Sequence, residues 1–378
     1  MLDRLSTIAA LFMAVSIASA GQTPAVELRS EFETEFSGSE WVVFSSGGWS
    51  TVEKGKVCFY DESGRLKESV DLRGKEVLTA PLAAERVGVL LYADRQPMTL
   101  SVVRFEMYDP NGIRTLAIDN PGFNKAILAP NGAAVCGIVG AEGLEGTVLE
   151  FRDENGRVSD TIAVDAFKSG RYSRDGSRFF YQTGDGALNV ARGNGQMLYA
   201  LGIADSWASS VDGQIVAIAR QSTIRLFSGG AGVGELAWPA EYGSIRSVAL
   251  SPDAGYGAAI SADRLALFRV EPGELLWEFV NDVPGWNLRS LDISKNADWV
   301  AVGADYDPGA TSTLRHAQSR CLVFNRHGEL IGRRARAPKS WGAQYPMVRF
   351  IGDHQTLLFA DRDGMSRLRI IPPGATEY

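Results

Sequence analysis

The chain has 378 residues, 45 acidic against 38 basic side chains, and a formal net charge of −7. That balance excludes the broad basic face a nucleic-acid binder presents, so no nucleic-acid partner is expected. The length allows a large core and one to three domains.

The N-terminus reads "MLDRL" with a single basic side chain, Arg4, then an apolar stretch from Ile8 to Ile17 and Ala18-Ser19-Ala20 before Gly21. Those are the three parts of a secretory signal peptide. Residues 1–20 are therefore expected to be a cleaved leader, and residues 21–378 one exported domain, periplasmic or secreted. The apolar part is too short to span a bilayer comfortably, so no integral membrane segment is expected after cleavage. Cys58, Cys136 and Cys321 lack the close spacing of a metal or redox motif. They are read as mostly buried thiols without a structural disulfide.

From residue 30 onward one pattern repeats. "SIRSVALS" (244–251) alternates apolar with small or polar residues, "PDAG" turns, "YGAAIS" runs back, "LALFRV" runs forward, and "EPGE" turns into "LLWEFV". Alternation with β-branched and aromatic residues predicts strands, and Pro, Asp and Gly supply the turns. The plan recurs over 127–164, 171–203 and 206–238. A glycine marks the turn between third and fourth strands at Gly64, Gly112, Gly156, Gly195, Gly232, Gly273 and Gly328, at intervals of 37 to 55 residues.

Four strands per period of about forty residues is the pattern of propeller blades. The last unit (346–374) supplies three strands only, and "PAVELRS" (24–30) offers the missing one, leaving no unpaired edge at the seam. The fold class expected is all-β: a single β-propeller of eight four-stranded antiparallel blades, or seven if the weakly patterned unit 75–116 is read differently. No segment after the leader shows a helical period of eleven or more residues. The densest basic run, "IGRRARAPKS" (331–340), reads as a solvated turn; salt-bridging neighbouring blades, or meeting an acidic partner, is the other reading.

"ALSPDAGYGAAISADRLALF" resembles the repeats of WD-type and related bacterial propellers. "EPGELLWEF" and "GNGQMLYAL" are similar to the outer-strand segment of quinoprotein (PQQ-like) repeats. The resemblance is to an architecture: the Gly-His and Trp-Asp pair of WD repeats and the full quinoprotein docking pattern are absent. It implies the ring but carries no function with it.

A propeller ring places the turns joining first to second and third to fourth strands on one face, and the remaining connections on the other. The longer within-blade loops expected on this second face are 46–56, 93–101, 140–146 and 304–319. Aromatics accumulate there: Trp49, Phe123, Phe167, Trp207, Tyr242, Trp286, Tyr306, Trp341 and Tyr345 are the candidate ligand or partner contacts. Flat amphipathic side chains give large contact area at low rotamer cost; wedging one blade against the next is their competing use.

Signs of chemistry are sparse. His316, His327 and His354 sit on separate turns, and Asp94, Asp305 and Asp307 fall short of a calcium ligand set. There is no nucleophile elbow, and "GGAGVG" (229–234) opens no helix that could receive a phosphate. Asp119, Asp165, Asp205 and Asp282 lie near outer-strand ends, where acid–base work on a glycosidic bond competes with turn capping. No catalytic residue, cofactor or metal is assigned. The reading is an exported non-catalytic binding or scaffold propeller engaging an envelope protein, peptide or glycan through its long-loop face. The alternative is a propeller enzyme acting on a lactone or glycan with channel-mouth carboxylates.

Overall fold

The computed structural model describes residues 27–35, 41–44, 46–53, 55–72, 76–79, 85–92, 102–140, 146–306, 318–336, 346–351, 355–361 and 364–371. Their strands form eight four-stranded antiparallel sheets. Blades 1 to 7 occupy residues 41–71, 76–119, 125–164, 167–203, 206–237, 247–280 and 286–336, each in simple meander order. The unit at 75–116 is thus a blade in its own right, and the count is eight. Among the described residues the only helical pieces are two short 3-10 turns, Ala240–Tyr242 and Lys295–Ala297.

Blade 8 is composite. Its three strands between Met347 and Ile371 are completed by Glu27–Glu35, which pairs antiparallel with Gly364–Ile371, as Glu27 to Ile371 at one end and Glu35 to Gly364 at the other. The closing strand runs on past the expected 24–30, through Phe32 to Glu35. The described part of the basic run, 331–336, is no solvated turn. Leu330–Arg336 is the outermost strand of blade 7, and Arg334 pairs with Glu33 while Arg336 Nε lies 3.3 Å from Asp361. It fastens blade 7 to blade 8.

The repeating turns explain why the units recur in sequence. Asp61, Asp109, Asp153 and Asn325 each open the third turn of their blades. One side-chain oxygen of each accepts from the backbone N–H groups two and four residues on, at 2.8 to 3.0 Å. The glycine that follows, as at Gly64 and Gly112, has φ of +85° and +79°, a region L side chains avoid. In blade 5 the tip moves: Gly229 and Gly230 take positive φ, and Gly232 lies inside the outer strand. At the first turn Ser173, Ser210, Ser251 and Ser294 use their hydroxyls to accept the N–H five residues on.

Each interface between neighbouring blades is a separate apolar core. Blades 5 and 6 share Leu226, Trp238, Val248 and Phe268; blades 6 and 7 share Leu265, Leu267, Leu288 and Phe324. Val43 and Trp49 of blade 1 pack with Ile351, Leu358 and Met365 of blade 8. That last core closes the ring. The four longest connections between strands, 93–101, 238–246, 307–318 and 337–346, all join second to third strands or one blade to the next. The described strand ends that they link therefore lie on one face.

Candidate functional site

The nine aromatics expected to ring the long-loop face separate into four groups. Trp49, Phe123, Phe167 and Tyr242 are buried and act as wedges. Trp49 begins a second strand, Trp49–Glu53, rather than lying in a loop, and it stacks on Tyr60 at 5.3 Å in the core that closes the ring. Phe123 meets Phe105 edge-on at 5.7 Å, between blades 2 and 3. Phe167 is fully buried between blades 3 and 4, and Tyr242 sits edge-on to Trp238 at 5.2 Å. Burial of this kind removes roughly 150–250 Å² of surface per ring from water and leaves nothing to offer a ligand.

Trp286 and Tyr306 do reach the rim. Trp286 is the first residue of blade 7's inner strand, Trp286–Ile293, and Tyr306 is the last of the next strand, Trp299–Tyr306; antiparallel pairing sets them opposite each other. Their rings lie 5.6 Å apart, both half-buried. The Arg320 guanidinium stands 4.1 Å over the Trp286 ring and donates to Asn281 Oδ1 at 2.6 Å. Burial, together with repulsion from Arg333, brings Arg320 down to about 10, with Asp282 acting the other way. It stays charged at neutral pH. Beside this group Arg289 Nε donates to buried Asp305 at 2.8 Å, and Arg246 donates to Asn287 at 3.4 Å. Asp305, considered for calcium, is thus held by an arginine.

Trp207 lies elsewhere. It is on blade 5's inner strand, Ser206–Ser209, part-way down the channel wall, packed at 4.9 Å against Phe180. Arg171 covers its ring at 3.7 Å and donates to its carbonyl oxygen at 2.7 Å. Trp341 and Tyr345 lie outside the described residues, as do His316, His354, Asp94 and Asp307.

The carboxylates proposed for acid–base work are exposed. Asp205 accepts from the backbone N–H of Gln221 at 2.9 Å, and Asp119 from Arg104 at 3.0 Å. His327 is an exposed turn residue whose N–H is bound by Asn325. Among the described residues no three His, Cys, Asp or Glu side chains gather as metal ligands. The three cysteines are buried free thiols.

The inner strands hold a feature the sequence reading missed. Arg171 and Arg174 of blade 4, Asp292 of blade 7 and Arg349 of blade 8 converge at the short-turn end of the channel. Counted back from the first-turn position held by Ala129, Ser173, Ser210, Ser251 and Ser294, Arg171 and Asp292 occupy the place that is Ile127, Ala208 and Ala249 in other blades. Charge at an otherwise apolar or small position was the available signal. It becomes visible only once the repeats are aligned on their turns.

No family model and no curated protein matches the chain. Solved structures match in fold. The C-terminal WD40 domain of Sif2 aligns with a TM-score of 0.59 at 12% identity, over 91% of this chain and 98% of that one. BamB from Moraxella catarrhalis gives 0.58 at 13%, over 91% and 100%. Hsv2 of Kluyveromyces lactis gives 0.55 at 13%, over 76% and 91%. The chain is similar to these propellers in architecture, and at such identities the likeness shows the fold alone.

Proposed function

We propose that the chain is an exported, non-catalytic binding propeller that engages an envelope protein, a peptide or a glycan through the rim of its long-loop face. The observation that carries this reading is the Trp286–Tyr306–Arg320 group, two half-buried rings and a stacked guanidinium beside the Asn281 amide. Aromatic and arginine side chains held in place by their neighbours are the residues that dominate binding hot spots. The wedge aromatics support the same division of labour, because they fix the blades and leave recognition to the rim. Export rests on residues 1–20, whose composition is that of a leader. No helix among the described residues is long and apolar enough to cross a membrane.

The test immobilises the purified chain and measures retention of envelope proteins and glycans. Replacing both Trp286 and Tyr306 by alanine, in a variant whose thermal unfolding remains cooperative, is expected to abolish retention. Undiminished retention by that variant rejects the rim as the binding surface. Fractionation of expressing cells tests export: a full-length chain recovered in the cytosol rejects it.

A further inference from the structure

The chain as a whole is acidic, yet its described inner strands carry more bases than acids. The inner strands carry Lys125, Lys168, Arg171, Arg289 and Arg349 against Glu76 and Asp292. At the short-turn end the imbalance concentrates. Arg174 Nη2 reaches from blade 4 to Asp292 Oδ1 on blade 7, at 2.9 Å, so this pair bridges the channel rather than joining adjacent blades. Asp292 is buried, and its other oxygen is taken by the backbone N–H of Phe350 at 2.8 Å. Arg349 Nε stands 3.9 Å from that oxygen, beyond hydrogen-bond distance. The same Nε is buried and has no hydrogen-bond partner among the described residues. Arg171 spends one nitrogen on the Trp207 carbonyl.

Among the described residues, Arg174 and Arg349 therefore face one carboxylate whose two oxygens are already engaged, and Arg171 stands close enough to both arginines to repel them. The blades enclose Arg171 and Arg349 while leaving their side chains accessible from the channel. Burial brings Arg171 down to about 10, and repulsion from Arg349 and then Arg174 adds to it. Burial does the same to Arg349, which Asp292 partly offsets and Arg174 worsens. Arg171 and Arg349 remain protonated at neutral pH. Uncompensated like charge in a low-dielectric enclosure is costly. It persists at little cost where a counter-charge enters.

We propose that the short-turn end of the channel is a binding site for a doubly charged oxyanion of the phosphate class, held by Arg171, Arg174 and Arg349. The charge excess of three arginines over Asp292 matches a dianion. Guanidinium forks arriving from blades 4 and 8 approach from different sides, which suits a tetrahedral group with several acceptor oxygens better than a second planar carboxylate. Asp292 positions the site by holding Arg174 across the channel. The same chemistry is carried by free inorganic phosphate and by a phosphomonoester.

Calorimetric titration of the purified chain with inorganic phosphate, with sodium chloride holding ionic strength constant, is expected to show saturable binding at one site. A parallel titration with glycerol 3-phosphate separates the two sources: equal or tighter binding identifies a phosphomonoester site, and weaker binding a site for the free ion. Arg349→Met is expected to weaken phosphate binding about tenfold or more, the loss of a charged hydrogen-bonding partner. In the unmodified chain, phosphate is expected to protect Arg171, Arg174 and Arg349 from phenylglyoxal, read by peptide mass mapping, whether or not the variant folds. Equal labelling with and without phosphate overturns the proposal, as does unchanged affinity in a folded Arg349→Met chain.

Discussion

Gly137 lies directly beneath the ring of Phe123: a Cβ at position 137 would fall 2.3 Å from Phe123 Cδ1. Gly137 is on blade 3's second strand, Ala134–Val139, and Phe123 comes from the connection between blades 2 and 3. The ring can settle in the core only because the strand beneath it has no side chain on that face. Gly137→Ala is expected to destabilise the chain by about 1–3 kcal/mol through overpacking, and Phe123→Ala by about 3–5 kcal/mol through the cavity left behind. Chemical denaturation checks both. A Phe123→Ala chain of unchanged stability would mean that the ring is not a wedge.

Ring closure gives a second prediction. A Cβ at Gly332 of blade 7 would meet Leu28 Cδ1 at 2.4 Å, so the closing strand lies hard against the neighbouring blade. Leu28 also packs on the core shared by blades 7 and 8. Deleting 27–35 exposes that core and the unpaired edge of Gly364–Ile371, and is expected to yield a chain that aggregates in size-exclusion chromatography. Glu33→Gln, which weakens the pairing with half-exposed Arg334, is expected to cost no more than about 1 kcal/mol. Apolar burial and strand pairing close the ring; the ion pairs trim it.

The ring and its closure were legible because they rest on local chemistry repeated many times. Asp61, Asp109 and Asp153 each accept two backbone N–H bonds in the same turn, so the turn leaves a residue pattern that can be read without a structure. The rim was legible only in part. Trp286 and Trp49 look alike in sequence, each following a glycine and opening a strand. Their fates are decided by what packs from the next blade, which for Trp49 is blade 8, some three hundred residues away. The arginine group left only the out-of-place charges of Arg171 and Asp292 to be read, since Arg174 and Asp292 meet only after the chain has advanced three blades, from blade 4 to blade 7.

The phenols set the alkaline limit. Tyr172 is buried against Cys136 and Phe179, and its hydroxyl has no hydrogen-bond partner among the described residues. Burial pushes it well above its ordinary 10.0, as burial and then the bond to Glu106 push up Tyr108. A raised phenol favours the folded state only while neutral. Its contribution is complete below pH 10 and is lost as pH climbs toward the raised folded value, because the unfolded chain releases protons that the native chain keeps. Stability measured from neutral to strongly alkaline pH is expected to fall from about pH 10. Tyr172→Phe removes an unsatisfied polar group at constant shape and is expected to raise neutral-pH stability by about 1 kcal/mol and to make the alkaline decline shallower. A destabilised Tyr172→Phe chain would show that the hydroxyl has a partner.

Stability and binding should separate at the rim. Trp286 has two roles: one side packs on the core between blades 6 and 7, and the other meets Tyr306 and Arg320. Trp286→Ala is therefore expected to lower stability, by about 1–3 kcal/mol for a half-buried ring, as well as abolish retention of the rim's ligand. Arg320 belongs to no apolar core; its guanidinium holds Asn281 and covers Trp286. Because burial already disfavours its charge, Arg320→Met is expected to leave thermal stability within about 1 kcal/mol of the parent, lost contacts being offset by relieved desolvation. Its effect should appear in binding, as a loss of about tenfold or more where the guanidinium meets the ligand. Equilibrium unfolding and surface-immobilised binding, run on both variants, read the two quantities independently. Loss of stability without loss of retention in both would reduce Trp286 and Arg320 to packing residues.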